Sequence, residues 1–169
     1  FQYSAIYAAI RVLAESVASL PLLTYERLPG GGKRRAEFAP QSDMLHHAPS
    51  SEQTAFTMIE TVMAHVLSWG NGYCELVRDG SGTVREMYPI RPDRVRVVRL
   101  DGQLVYVYST DANGDVVLPY QNVLHIAGLG FDGLQGYSPI HLARTAIGLG
   151  RAAEEFGSAF FGNAARPSG

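Results

Sequence analysis

Residues 138–162 read SPIHLARTAIGLGRAAEEFGSAFFG, the longest stretch of this chain with one continuous helical period. Ser138 is a favoured N-cap residue and Pro139 a favoured first helical residue, which predicts a helix that begins there and runs to about Gly162. Apolar residues recur at three- and four-residue spacings along one side: Leu142, Ala146, Leu149, Ala153, Phe156 and Phe160. Ile140, Ala143 and Ile147 add apolar surface on a flank.

The opposite side of this predicted helix is polar. Its polar residues are His141, Arg144, Arg151, Glu154, Glu155 and Ser158. One neighbouring element cannot cover both the apolar stripe and the additional apolar flank. We therefore expect this helix to pack against more than one neighbour.

Two further helices are predicted upstream by the same periodicity. In the first, which starts near Ser4 and is ended by Pro21, one stripe contains Ile6, Ile10, Leu13, Val17 and Leu20. In the second, over residues 54–69, one face contains Phe56, Ile59, Met63 and Val66. Gly70-Asn71-Gly72 closes this second helix, because glycine accepts the backbone geometry of a helix C-terminus.

In the remaining periodic segments apolar and polar residues alternate, as is typical of strands. They cover residues 22–27, 73–79, 84–88, 94–100, 104–109, 116–118 and 122–127, whereas the basic, glycine-rich residues 29–35 predict a loop tip. Asp101-Gly102 is the strongest two-residue hairpin signal. The ten-residue spacing from 73 to 118 suggests an antiparallel meander or small barrel. The predicted fold class is α+β: an N-terminal helix, a second helix packed on a small antiparallel sheet or barrel, and a long C-terminal helix.

Composition limits the classes of function. The chain has 169 residues, 14 Lys plus Arg against 16 Asp plus Glu, and a formal charge of −2. A near-neutral domain of this size buries a core but has no overall field that would clamp DNA. Its one cysteine, Cys74, excludes an intramolecular disulfide framework within this sequence and predicts a small buried apolar residue. We find neither a signal peptide nor an apolar run long enough for a bilayer, and expect a soluble, intracellular protein.

The residues 128–133, GLGFDG, match the G-x-G-x-x-G pattern of dinucleotide-binding loops. That chemistry needs the third glycine inside the following helix, where free amides meet the pyrophosphate. Here the predicted cap, Ser138, comes five residues after Gly133. We therefore interpret the run as a connecting loop and predict no cofactor.

The sequence also lacks the patterns of metal sites, catalytic carboxylate pairs and nucleophilic serine or cysteine sites. His46 and His47 are adjacent and the remaining histidines are isolated, so we predict no metal site. Neighbouring helical carboxylates at Glu154 and Glu155 diverge by about 100°, which prevents them from working as a catalytic pair and favours ion pairing with Arg151. No nucleophile elbow and no phosphate-binding loop of the G-x-x-x-x-G-K-[ST] type occurs. We predict that the chain is not an enzyme.

The densest basic set lies around residues 91–99. By the two-residue period of a strand, Arg94 and Arg96 share one face, without an aromatic residue between them for base stacking. We expect this strand face to be solvated or to meet another subunit, and a phosphate-facing role stays open.

Five segments, in order and with similar gaps, resemble the portal proteins of long-tailed bacteriophages and prophages. They are AIYAAIRVLAESVASLP (5–21), WGNGY (69–73), VLHI (123–126), GLQGYSPI (133–140) and AEEF with FFGNAARPSG (153–156 and 160–169). The resemblance runs from the first residues to the last. It implies a structural protein of the virion rather than an enzyme.

The family resemblance implies a twelve-subunit ring at one capsid vertex, assembled in the host cytoplasm, through which a terminase drives double-stranded DNA. Implied partners are the terminase large subunit, the major capsid protein, tail connector or adaptor proteins and passing DNA, without a membrane. Residues 1–137 would be the wing-like domain, 138–163 the stem-like helix and 164–169 the start of the clip. The helix would pack on its neighbours through its apolar side and turn its polar side to the channel or to other subunits.

Two alternatives remain at this point. A generic phage structural or adaptor module with a small β-barrel shares the strand pattern but lacks the long helix. A nucleotide-binding enzyme would depend on the glycine run at residues 128–133, which the position of Ser138 disfavours.

Overall fold

A computed structural model describes residues 4–112, 114–130 and 132–162. The helices are α1 (Ser4–Ala18), α2 (Pro40–His46), α3 (Ala55–Trp69), α4 (Pro139–Leu142) and α5 (Arg144–Gly162). The strands are β1 (Tyr25–Arg27), β2 (Lys33–Arg35), β3 (Asn71–Arg78), β4 (Val84–Ile90), β5 (Val95–Leu100), β6 (Gln103–Thr110), β7 (Gly114–Pro119) and β8 (Val123–Ala127). The predicted α+β class is confirmed. The predicted clip segment, 164–169, lies outside the described residues.

Helix α3 is the centre of the body, with α1 packed on one side and strand β3 on the other. Its start is fixed by Thr54, whose hydroxyl oxygen accepts a hydrogen bond from the Thr57 N–H at 3.2 Å. Its end is fixed by Gly70 in the left-handed conformation, with φ at 82°. The boundaries predicted for this helix are therefore confirmed.

The apolar stripes predicted for α1 and α3 do not coincide with the most buried side of each helix. In α1, Ala14 and Ala18 are buried, while the predicted stripe members Leu13, Val17 and Leu20 are exposed. In α3 the buried apolar residues are Ala55, Met58 and Val62, while Phe56 is exposed and Ile59, Met63 and Val66 are half-buried. The small side chains of α1 allow close approach of the two helices, which periodicity alone does not reveal.

The segment between α1 and α3 contains a hairpin and a short helix that the sequence analysis missed. Strand β2 pairs antiparallel with β1, so residues 33–35 are a strand and only the residues before them form the predicted loop tip. Helix α2 places Met44 in the core, where it joins Met58, Val62, Cys74 and Met87. Cys74 is buried as predicted, and burial raises the pKa of its thiol to about 12.

The six longer strands form two three-stranded antiparallel sheets, in the orders β4-β3-β8 and β5-β6-β7. Within the described residues no strand pairing joins the two sheets, so neither one continuous meander nor a closed barrel is present. The division has two causes: a 3₁₀ turn over Pro92–Arg94 separates β4 from β5, and β8 returns to pair with β3. A second core cluster lies between the sheets and contains Tyr73, Ile90, Tyr106, Leu118 and Val123.

The Asp101-Gly102 hairpin is confirmed. Leu100 faces Gln103 across the turn, and both turn residues have positive φ, 49° at Asp101 and 78° at Gly102. This is the geometry in which a two-residue turn matches the twist of its strands. The turn therefore fixes the register of β5 against β6.

The predicted C-terminal helix is divided into α4 and α5. Ser138 caps α4 as expected, but Ala143 departs from helical geometry, with φ at −87° and ψ at 7°. Helix α4 packs on α3, whereas the element that α5 contacts most extensively in the described part of the chain is α4. Within residues 4–112, 114–130 and 132–162, no helix combines the length and apolarity needed to cross a bilayer.

Candidate subunit interface

Helix α5 leaves the body with its apolar stripe uncovered. None of its residues is buried. Leu142, the last residue of α4, is 71% exposed, and Leu149 and Phe156 are each 74% exposed. Phe160 is half-buried and stacks with Phe156 at a centroid distance of 6.3 Å. An uncovered stripe of this kind is typical of a surface that meets another protein.

The other predicted packing positions differ in exposure. Ala143, Ala146 and Ala153 are exposed, and Ile140 and Ile147 are half-buried. The predicted polar positions, His141, Arg144, Arg151, Glu154, Glu155 and Ser158, are all exposed. Arg151 and Glu155 form an exposed ion pair at 3.6 Å, which accords with the expected pairing for Glu155. The apolar and polar sides are both accessible from outside the protomer.

The root of this helix is attached to α3 by Ser138. Its hydroxyl donates a hydrogen bond to the carbonyl oxygen of Ser68 at 2.6 Å and accepts one from the His141 N–H at 3.1 Å. One side chain therefore caps α4 and joins it to the last turn of α3. This double role fixes where the C-terminal helix begins.

The glycine-rich loop before α4 is packed against protein rather than open to a phosphate. The Gly128 N–H donates to Gly70 O at 2.8 Å, and the Tyr137 N–H donates to Leu129 O at 2.8 Å. A Cβ at Gly130 would lie 1.9 Å from the Gln135 carbonyl oxygen. The glycines thus allow close contact between backbone segments. This geometry gives no support to the nucleotide-binding alternative.

Asn71 holds the same loop through its carboxamide. Its Nδ2 donates to Gly136 O at 2.8 Å, and its Oδ1 accepts from the Gly136 N–H at 2.8 Å. Both polar groups of Gly136 are therefore satisfied by one buried side chain. Sequence reasoning did not single out Asn71 for such a role, because its partner lies 65 residues away.

His125 connects this amide to the second sheet. Its Nε2 lies 3.0 Å from Asn71 Oδ1, and its Nδ1 lies 3.2 Å from the Tyr106 hydroxyl. Because Asn71 Oδ1 is an acceptor, Nε2 carries the proton and Nδ1 accepts from the hydroxyl. Burial lowers the pKa of His125, which favours this neutral form.

Acid is expected to destabilise the protein partly through His125. Because its folded pKa lies below the ordinary 6.5, the unfolded state binds more protons, so stability is complete above about pH 6.5 and declines as pH falls. Thermal midpoints measured between pH 7.5 and pH 5 should fall less for His125→Gln than for the parent. His141→Gln, at an exposed position, is the control. Identical declines in the parent and His125→Gln would refute this assignment.

Arg94 lies in the 3₁₀ turn before β5 and only Arg96 lies on the strand, so the prediction that the two share one strand face is wrong. Each arginine forms an ion pair with an aspartate. Arg94 Nη1 lies 2.7 Å from Asp111 Oδ2, and Arg96 Nη2 lies 2.5 Å from Asp115 Oδ2. The hydrogen bond to Asp111 raises the pKa of Arg94, and the same contact lowers the pKa of Asp111. Each cation is thus neutralised locally, which reduces its attraction for a phosphate.

Neutralising these two arginines should leave DNA binding almost unchanged. We expect Arg94→Gln with Arg96→Gln to alter the affinity for duplex DNA by less than about twofold at low salt, because no counterion-releasing contact is lost. Gel-shift titrations at two salt concentrations measure this. A loss of about tenfold with a shallower salt dependence would instead place phosphates beside these two arginines.

No group of three or more His, Cys, Asp or Glu side chains suited to a metal ion occurs within the described residues. Two of the histidine contacts are local: His46 and His47 pack edge to face, and His65 packs edge to face against Trp69.

Comparison with known proteins gives consistent matches. The family model described as phage portal protein matches residues 4–169. A probable portal protein of Streptomyces phage phiC31 is 34% identical, over 98% of this chain and 38% of that protein. The portal protein of Enterobacteria phage HK97 is 26% identical, over 98% of this chain and 39% of that protein.

Solved structures of phage-related particles and of a portal protein also resemble this chain. A chain in the neck of an empty gene transfer agent particle is 30% identical, with a TM-score of 0.79, and the match covers 96% of this chain and 44% of that one. An HK97-family phage portal protein from Corynebacterium diphtheriae, 21% identical, shares the fold with a TM-score of 0.61 over 93% of this chain and 46% of that one.

The chain thus spans about two fifths of the length of the curated relatives that it matches. The family match nevertheless covers nearly the whole of the chain itself. It also confirms the resemblance to phage portal proteins that the sequence indicated. The chain belongs to the phage portal protein family.

Proposed function

We propose that this chain is the part of a portal subunit through which copies of the protein associate side by side into a ring around a passage for double-stranded DNA. One observation carries the proposal: the apolar stripe of α5 is uncovered in the protomer although its root is firmly attached. A free apolar stripe on an anchored helix is suited to packing against another copy.

A closed ring needs two different patches on each subunit, since every contact joins one side of a copy to the other side of the next. Among the described residues, the C-terminal helix offers two apolar surfaces that a copy on either side could contact: the stripe with Leu149 and Phe156, and the flank with Ala143 and Ile147. The neck of a native gene transfer agent particle was computed with C12 symmetry and that of the empty particle with C6 symmetry, and both symmetries are compatible with a ring of twelve copies.

The polar side of α5 suits conduction of DNA. It mixes two arginines with two glutamates, and the whole chain has a formal charge of −2. Strong neutralisation of phosphates would make the passage of DNA sensitive to salt and slow, because each cationic contact releases counterions on binding. A balanced face permits weak contact that is spread along the passage.

Within this proposal, residues 1–137 correspond to the wing, 138–163 to the stem and 164–169 to the start of the clip. The partners are the terminase large subunit, the major capsid protein and tail connector or adaptor proteins. The protein assembles in the host cytoplasm and resides at the portal vertex of the virion. Arg144, Arg151 and the neighbouring polar residues turn to the channel or to other subunits.

The experiment examines the full-length protein by negative-stain electron microscopy and mass photometry. We expect rings with a central hole and one dominant mass near twelve subunits. Reversing charge at Arg144 and Arg151 in the complete phage should reduce the amount of packaged DNA. Stable monomers at high concentration would refute the ring, and normal packaging by the charge-reversed phage would show that this side does not face DNA.

A further inference from the structure

Three separate sequence segments meet at the side chain of Asn71. Asn71 is the first residue of β3, His125 lies in β8, and Gly136 lies in the loop before α4. We propose that Asn71 is the positioning residue that fixes the direction in which α4 and α5 leave the body. We also propose that His125 and Tyr106 hold its amide in the required orientation. This role concerns a single protomer and does not depend on ring formation.

The chemistry of the contact explains why an amide is needed. The two polar groups of Gly136 are a donor and an acceptor, and the carboxamide of Asn71 satisfies both at 2.8 Å. Aspartate would keep the acceptor but lose the donor, and alanine would leave both buried groups of Gly136 without their partner. The side chain of Asn71 therefore supplies Gly136 with the two hydrogen bonds that a paired strand would otherwise supply to its backbone.

The position of the contact explains why it controls direction. Gly136 precedes the cap residue Ser138 by two positions, so the orientation of its peptide determines where the helix starts. On its other side the peptide is pressed against Gly70, because an added Cβ would lie 2.1 Å from the Gly70 carbonyl oxygen. Asn71 and Gly70 thus hold one peptide between them.

The orientation of the amide is itself fixed. Oδ1 faces the Nε2–H of His125, and Nδ2 is directed to the carbonyl groups of Gly136 and Trp69, the latter at 3.4 Å. The His125 ring packs against Tyr73 at a centroid distance of 4.4 Å and receives the Tyr106 hydroxyl on Nδ1. Since Tyr106 belongs to β6, the contact links the second sheet to the helix root.

The test measures the direction of α5 in the full-length protein. Nitroxide labels on Gln103→Cys in the body and Ser158→Cys in α5 report their separation by pulsed electron paramagnetic resonance. Labelled subunits are diluted with unlabelled ones so that distances within one subunit dominate. Cys74 is buried with a raised thiol pKa and does not take the label; other reactive cysteines are replaced.

We expect one narrow distance distribution in the parent and a distribution about twofold broader in Asn71→Ala, because the root then samples several orientations. Asn71→Asp, which keeps the acceptor, should give an intermediate width. Asn122→Ala is the matched control, since that amide accepts a bond from Arg78 at the surface. It should leave the distribution unchanged.

A second variant keeps the test valid if Asn71→Ala does not fold. Tyr106→Phe removes only the hydroxyl that fixes His125. It should broaden the distance distribution, while the amide hydrogen exchange of the paired strands β3 and β8 stays as in the parent. An unchanged distribution in folded Asn71→Ala, or in Tyr106→Phe if the first does not fold, would overturn the assignment. Failure to form rings would contradict the proposed function but leave this result intact.

Discussion

Glutamate at Leu149 and Phe156 is expected to abolish ring formation by the full-length protein while leaving each protomer folded. Both side chains are 74% exposed in the protomer, so their replacement removes little internal packing besides the Phe156–Phe160 ring contact and should change its unfolding free energy by about 1 kcal/mol or less. In a ring the same positions would place unpaired carboxylates in an apolar contact, at a cost of several kcal/mol for each interface.

The measurement for this double variant combines mass photometry with thermal unfolding. Ser158→Glu is the matched control, because it adds the same charge on the polar side of the same helix. We expect rings from the control and only small species from the double variant, with similar circular dichroism spectra. Rings at normal yield from the double variant would show that the stripe is not the packing surface.

Alanine at Gly136 is expected to destabilise the root of the helix strongly. Its Cβ would lie 2.1 Å from Gly70 O and 2.6 Å from Gly128 N, and both of these atoms belong to the backbone. Backbone groups in a packed loop cannot move aside as a flexible side chain does. We expect a loss of about 3 kcal/mol, which lowers the thermal midpoint by roughly 6–12 °C.

Gly148→Ala is the control, and its expected effect on thermal stability has the opposite sign. Gly148 lies inside α5, and no atom lies within 4 Å of the position its Cβ would occupy. Alanine there should raise helix stability by about 0.5–1 kcal/mol, because glycine loses more backbone entropy. Scanning calorimetry of both variants measures the contrast. A thermal midpoint for Gly136→Ala equal to that of the parent would contradict the close packing described for this loop.

Local chemistry in the sequence predicted the ends of the elements well. Thr54 and Gly70 delimit α3, Ser138 begins α4, and Asp101-Gly102 forms the β5–β6 turn. In each case the signal and the structure that it specifies lie within a few residues. Such signals depend on backbone geometry that one residue type favours, and they do not require knowledge of distant partners.

The failures have a different origin. The periodicity of α1 identified an apolar stripe, but packing on α3 selected the side with Ala14 and Ala18 because small side chains allow close helix contact. The return of β8 to β3 is a long-range pairing, and strand patterns alone do not specify partners. The break at Ala143 interrupts a stretch whose side-chain pattern is continuous.

The candidate surface was predictable and its anchor was not. The exposed stripe follows from the period of residues 142–160, so its members could be named from the sequence. The hydrogen bonds of Asn71 join residues 54 and 65 positions apart. The only sequence signal was that the segments 69–73, 123–126 and 133–140 all took part in the family resemblance, and the structure shows that these three segments meet.

Cryo-electron microscopy of the full-length protein at side-chain resolution tests the central claim most directly. We predict that α5 of each subunit lies beside α5 of its neighbours around a central passage, with Leu149 and Phe156 buried between copies and Arg144 and Arg151 outside that contact. A structure in which the stripe of α5 is covered by its own subunit, with no contact between neighbouring copies of α5, would contradict the account.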